Sequence, residues 1–216
     1  MRRLLPIAAV GIVTLVIIEP YLGLDRTGSR LTVSGPAHYA ILVAHIFTAA
    51  VALVLGPVQF LATVRRTGRA HRIAGRVYLL AGVLPAALTA VPVAAWSGRP
   101  LTQAGLSTAA ILWLITGALA YRAARRHDYT RHREWMLRNY ALTFLAVTAR
   151  ILVPLLLLLR LPFSGDDATP VAEVVPTLIP IGQTAGWIVN LAIAEVLIRR
   201  RRTAPSPSGA GPGAGR

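Results

Sequence analysis

Six apolar stretches, most of them close to twenty residues long, divide this 216-residue sequence. A run of about twenty apolar residues crosses the hydrocarbon core of a bilayer as one α-helix. The sequence therefore predicts an all-α fold, a polytopic transmembrane bundle of six helices. The spans are read at about Leu4–Leu22, Pro36–Thr63, Ile73–Trp96, Leu101–Tyr121, Arg131–Arg160 and Thr177–Ile198, in one transmembrane domain over residues 1–202. Residues 203–216 are Thr, Ala, Pro, Ser and Gly with a final arginine, and read as a disordered cytoplasmic tail. The first apolar run has the basic start of a signal peptide. It ends in Glu19, Pro20 and Tyr21 with no small-x-small cleavage site, so it is read as an uncleaved span.

Arginine sets the expected orientation. All 23 basic residues are arginine, against 8 acidic ones, for a formal net charge of +15. They gather at span ends: Arg2 and Arg3, Arg65–Arg72, Arg122–Arg133 and Arg199–Arg202. With six spans all four clusters fall on one side, and the other side keeps only Arg26, Arg30, Arg99 and Arg160. The positive-inside rule then puts both termini in the cytoplasm of a multi-pass protein of the inner (cytoplasmic) membrane. Basic clusters at span ends argue for topology, not nucleic-acid binding. The expected partners are the bilayer and its anionic lipids.

The absence of cysteine excludes disulfides, iron–sulfur clusters and thiol chemistry. GxSxG, HExxH and P-loop motifs are also absent. Asp166 and Asp167 form the sole adjacent carboxylate pair, in the Pro162–Pro176 loop, and read as a solvated turn. No residue is assigned a catalytic role.

Polar side chains inside the spans need partners. At about 100° per residue, His132, Asn139, Thr143 and Arg150 share one face of span five. An arginine in hydrocarbon costs at least ~2.5 kcal/mol unless paired or hydrated, so that face is expected to look into protein. His45 and Arg150 lie ~14 Å and ~15 Å from the outer ends of their helices at ~1.5 Å per residue. Gln183 lies in the outer part of span six. The expectation is an outer-half, water-accessible pocket of His45, Arg150 and Gln183, with Asn139 on the same stripe, binding a small anionic or lipid-like ligand. The alternative is that backbone carbonyls and water satisfy these side chains. His38, His45, Ala49, Ala52, Gly56, Gln59 and Thr63 share a face of span two, whose small residues admit a neighbouring helix or a flat ligand.

The inner ends of spans three and five begin alike. His71, Arg72, Gly75, Arg76 and Tyr78 open one; His132, Arg133, Trp135, Arg138 and Tyr140 open the other. Glu195, near the inner end of span six, is expected to pair with Arg76 or Arg138. His71, Arg76, His132, Arg138 and Glu195 thus form an inner polar cluster. His71 and His132 share a depth and can ligate b-type haem, with arginines on the propionates, or border a quinone site.

The order His45, GPVQF at Gly56–Phe60, HRIAGRVY at His71–Tyr78 and RHREWMLRNYALTFLAVTAR at Arg131–Arg150 resembles a bacterial family of predicted membrane proteins filed as a domain of unknown function. The resemblance covers about His38 to Glu195. It implies a multi-span membrane protein and no established activity. A looser likeness is to membrane b-type cytochromes, in which histidines from different helices clamp haem. Three functions follow: a binding or transport protein for an anionic or lipid-like molecule, a haem or quinone electron-transfer protein, and a structural or accessory subunit.

Overall fold

The computed structural model describes residues 5–60, 68–160 and 170–203, and among these the chain is helical with no strand. The elements are α1 (Leu5–Ile18), α2 (Pro36–Gln59), α3 (Gly68–Val77), a π-helical segment (Tyr78–Val83), α4 (Leu84–Ala95), α5 (Pro100–Arg125), α6 (Tyr129–Thr143), α7 (Leu145–Arg160) and α8 (Val171–Thr203). Four rods are long and apolar enough to cross a membrane: Pro36–Gln59, Gly68–Ala95, Pro100–Arg125 and Val171–Thr203. Helices α6 and α7 together make a fifth, bent by 47°. At ~1.5 Å per residue α1 is ~21 Å long, short of a ~30 Å hydrocarbon core. The six apolar runs are thus four continuous spans, one broken span and one short helix. Arg2, Arg3, Thr63, Arg65, Arg66, Asp166, Asp167 and the tail from residue 204 lie outside the described residues.

Local chemistry explains the boundaries. Pro36 and Pro100 sit in the first turns of α2 and α5, where a missing N–H costs nothing. Gly98, at φ +65°, makes the turn before α5. At the other end of α5 the His127 N–H donates to Ala124 O at 3.1 Å and the Asp128 N–H to Ala123 O at 3.0 Å, with His127 at φ +57°. This is a helix stop built on a left-handed residue. Asp128 then caps α6, its Oδ1 accepting from the Arg131 N–H at 3.0 Å. The basic stretch Arg122–Arg133, expected as a loop, is therefore mostly helix around a tight turn.

Two further boundaries differ from expectation. Span five is not one helix from Arg131 to Arg160 but breaks at Phe144. The cause lies on α8: Asn190 Nδ2 donates to Ala141 O at 3.0 Å, and Asn190 Oδ1 accepts from Thr148 Oγ1 at 2.9 Å. In an unbroken helix Ala141 O would take the N–H of Leu145. A side chain inserted into that ladder bends the helix. The Pro162–Pro176 loop is also shorter than expected, because α8 starts at Val171 and carries Pro176 and Pro180 inside it. Membrane helices tolerate such prolines more readily than soluble ones do.

Side-chain contacts fix which helix ends meet. His71 at the start of α3 meets His132 at the start of α6, His132 meets Ala120 near the end of α5, and Arg138 and Glu134 of α6 meet Glu195 and Arg202 at the end of α8. The described arginine clusters therefore share one end of the bundle. At the opposite end His38 stacks on Trp96, the Tyr39 hydroxyl donates to Asp25 O, and Thr102 donates to Gln183. The core between the two ends is built on Ala52, Tyr78, Trp113, Met136 and Leu142. Large apolar residues such as Ile111, Ile151, Leu158 and Ile193 are exposed, as lipid-facing side chains are in a membrane protein.

Candidate functional site

Helices α3 and α6 carry the two arginine-rich motifs, and the structure brings their matching residues together. Tyr78 lies seven residues after His71, and Asn139 seven after His132. Seven residues are about two helical turns, so each pair lies along one helix face. The histidines meet at the arginine-rich end, with ring centroids 6.3 Å apart and planes at 88°. Two turns deeper, the Tyr78 hydroxyl donates to Asn139 Oδ1 at 2.6 Å.

That deeper contact belongs to a closed network. Asn139 Nδ2 donates to Trp113 O at 2.7 Å and Thr116 Oγ1 at 2.9 Å. Trp113 Nε1 donates to Thr143 Oγ1 at 3.0 Å, which also lies 2.8 Å from the Tyr78 hydroxyl. Tyr78 and Asn139 are wholly buried. Both Asn139 N–H groups are spent on protein, so this side chain ties α3, α5 and α6 together. Its network opens from the π-helical turn that starts at Tyr78.

The arginine-rich end is less completely satisfied. His132 Nδ1 lies 2.9 Å from Ala120 O. In neutral imidazole that nitrogen must carry the proton, which leaves Nε2 as an acceptor. Gln59, at the end of α2, is 4% exposed, yet its Nε2 is buried without a hydrogen-bond partner. Its amide rests beside Gly75, one turn beyond His71, where an added Cβ would lie 3.7 Å from Oε1. One turn deeper on α2, a side chain at Gly56 would fall inside the Tyr140 ring, and that ring also meets Phe60 edge-on at 6.0 Å. GPVQF and the two arginine-rich motifs therefore converge on one place. Gln59 was visible in the sequence as part of the span-two face and of GPVQF. Nothing in the sequence marked its amide as unpaired.

Charge at this end is lopsided. Arg138 makes a two-pronged ion pair with Glu195, Nε to Oε1 at 2.5 Å and Nη2 to Oε2 at 3.1 Å, and lies 4.6 Å over the Trp135 ring. Of the two arginines expected near Glu195, Arg138 holds it and Arg76 stays exposed. Arg202 pairs with Glu134, and Arg131 with Asp128.

The outer-half residues are not joined. His45 Nδ1 lies 2.9 Å from Ala86 O, with Thr89 Oγ1 at 3.5 Å. Gln183 Oε1 accepts from Thr102 Oγ1 at 3.2 Å. Arg150 is exposed, and its Nη1 donates to Ala146 O, one turn back on its own helix, at 2.7 Å. No described hydrogen bond links these three side chains. A cavity of about 510 Å³ at this end is lined by Gly98, Arg99, Pro100, Leu101, Pro176, Thr177, Pro180 and Ile181, and so by none of the three. On the small-residue face of span two, Tyr140 covers Gly56, and a Cβ on Gly82 would stand 3.0 Å from Ala52, so neighbouring helices pack at these two positions.

A family model described as "Predicted membrane protein (DUF2306)" matches residues 42–198. The matched stretch contains His45, GPVQF and both arginine-rich motifs. No curated protein matches the chain, and no solved structure matches it.

Proposed function

The chain belongs to the DUF2306 family of predicted membrane proteins, and from that premise we propose that it binds an anionic, lipid-like ligand at the arginine-rich end of its bundle. In this reading α1 and the helical turn Glu19–Tyr21 that continues it, 14 and 3 residues, complete a six-span topology in the bacterial inner membrane, both termini are cytoplasmic, and the site opens at the cytoplasmic leaflet. Gln59, His71, Arg72, Arg76 and His132 border it.

One observation carries the reading. Of the thirteen described arginines at this end, three hold its three described acids, Asp128, Glu134 and Glu195. Ten arginines stand outside those pairs. Guanidinium groups at a membrane surface attract phosphate headgroups, by roughly 1 kcal/mol for each basic residue near an anionic leaflet. Each group also offers a planar, two-pronged donor set for phosphate oxygens. Basic clusters at span ends also orient a protein, but orientation alone needs neither the paired histidines nor a buried, unpartnered glutamine among them. His45, Arg150 and Gln183 have protein acceptors or donors of their own and take no ligand in this reading. The haem alternative is not carried further: Tyr140 lies over Gly56, one of the small residues on the face read as open to a flat ligand.

The test is thermal unfolding in a neutral detergent with added lipid. Phosphatidylglycerol should raise the melting temperature and phosphatidylcholine should not, and the difference should shrink as salt screens the arginines. Equal effects of the two lipids at low salt would refute the proposal.

A further inference from the structure

We infer that the arginine-rich end recognises a hydroxyl group beside the ligand's phosphate, through Gln59 and His132. The inference rests on the binding reading above and specifies its ligand. Three contacts bound the place. The Tyr140 ring against Gly56 closes it on the deep side. The His71–His132 contact flanks it. Gly75, one turn from His71, lies against the Gln59 amide, an added Cβ there standing 3.7 Å from Oε1 and 3.9 Å from Nε2.

The two side chains ask for complementary chemistry. Gln59 Nε2 is a buried donor without a partner, 96% of its residue surface being covered. Leaving such a donor unpaired is costly, so an acceptor oxygen there is favoured. In its neutral form His132 gives its Nδ1 proton to Ala120 O, 2.9 Å away, and has Nε2 left as an acceptor. A phosphodiester oxygen can accept from Gln59, but it carries no proton to give His132. A hydroxyl on the same head can donate to His132 while the phosphate meets the arginines. The ligand class is therefore a hydroxylated phosphodiester or phosphomonoester, borne on a lipid or free in the cytoplasm.

Three lipids separate head chemistry from charge. Phosphatidylglycerol and phosphatidylmethanol carry the same charge, but the second lacks the hydroxyls; phosphatidylcholine is neutral overall. Binding to the full chain in nanodiscs or detergent should rank phosphatidylglycerol roughly tenfold above phosphatidylmethanol, the step expected for one or two hydrogen bonds. Phosphatidylmethanol should in turn rank above phosphatidylcholine. Gln59→Leu should erase the first step and keep the second. Gly75→Leu, which adds bulk against the Gln59 amide, should do the same, and serves if Gln59→Leu folds poorly. Competition by soluble glycerol phosphate would assign the hydroxyl-phosphate group to a free metabolite, and its failure to compete would assign it to a lipid head. Equal binding of phosphatidylglycerol and phosphatidylmethanol, both above phosphatidylcholine, overturns the hydroxyl site and leaves the charge reading standing. Equal binding of all three overturns both.

Discussion

The Tyr78 hydroxyl donates to Asn139 Oδ1 at 2.6 Å, with both side chains wholly buried. This bond fixes α3 against α6 two turns deeper than the point where His71 meets His132. It therefore sets how the two arginine-bearing helix ends face each other. Tyr78→Phe would keep the shape and leave Asn139 Oδ1 without its donor. The expected loss is about 1–3 kcal/mol from a buried unpaired acceptor, toward the lower end because hydrogen bonds in membrane bundles average about 0.6 kcal/mol. The double variant with Asn139→Ala should lose less than the sum of the singles, by at least about 0.5 kcal/mol. Denaturant titration in detergent measures this, and strict additivity would show that the bond does not couple the helices.

The Arg138–Glu195 pair should matter less than its depth suggests. The Arg138 side chain is 16% exposed, but that of Glu195 is 38% exposed. Water reaches the carboxylate, so Glu195→Gln should cost about 1 kcal/mol, nearer a surface pair than the 3–5 kcal/mol of a fully buried one. Unfolding of Glu195→Gln at low and high salt checks this. A loss that is large and independent of salt would mean that the pair is dry.

The broad architecture was legible in the sequence, and its bends were not. Apolar length and arginine at the ends mark α2, α5 and the core of α8, and Pro36 and Pro100 mark where two of them begin. The break at Phe144 is written on another helix, in Asn190, so no window along span five reveals it. The π-helical turn at Tyr78–Val83 likewise meets partners far along the chain, Asn139, Thr143 and Ala52, which no local window contains. At the site, the depth of His71, His132 and Glu195 followed from the helical rise. What was not legible was partnership. Helical rise gives a residue's depth, but whether Arg150 reaches across to His45 or back to Ala146 depends on the direction of α7 beyond the bend. Gln59 looked like one more polar residue on a small-residue face, and only the folded structure shows its Nε2 buried without a partner.

Arg150 provides a control for the site. It is exposed, bonds its own helix at Ala146 O, and pairs with no described acid. Arg150→Leu should melt at or above the wild-type temperature in detergent and keep the anionic-lipid preference. A selective loss of that preference with the fold intact would move the ligand to the level of His45.

Topology can be read by labelling, because the chain has no native cysteine. Ser97→Cys, in the turn between α4 and α5, should react with a membrane-impermeant maleimide added outside spheroplasts. Tyr129→Cys, at the start of α6, should react only after the membrane is opened. The reverse pattern would invert the bundle and put the arginine-rich end outside.

In the proposed reading, arginines left over from ion pairing hold an anionic lipid-like ligand beside His71 and His132. Its most direct measurement is native mass spectrometry of the protein extracted from membranes, comparing wild type with Arg72→Gln/Arg76→Gln. These two exposed arginines flank Gly75 on α3 and belong to none of the described ion pairs. Wild type should retain bound anionic lipid, and the double variant should fold with the same melting temperature and retain several-fold less. Equal retention by the two proteins, or no anionic lipid on either, would contradict the claim.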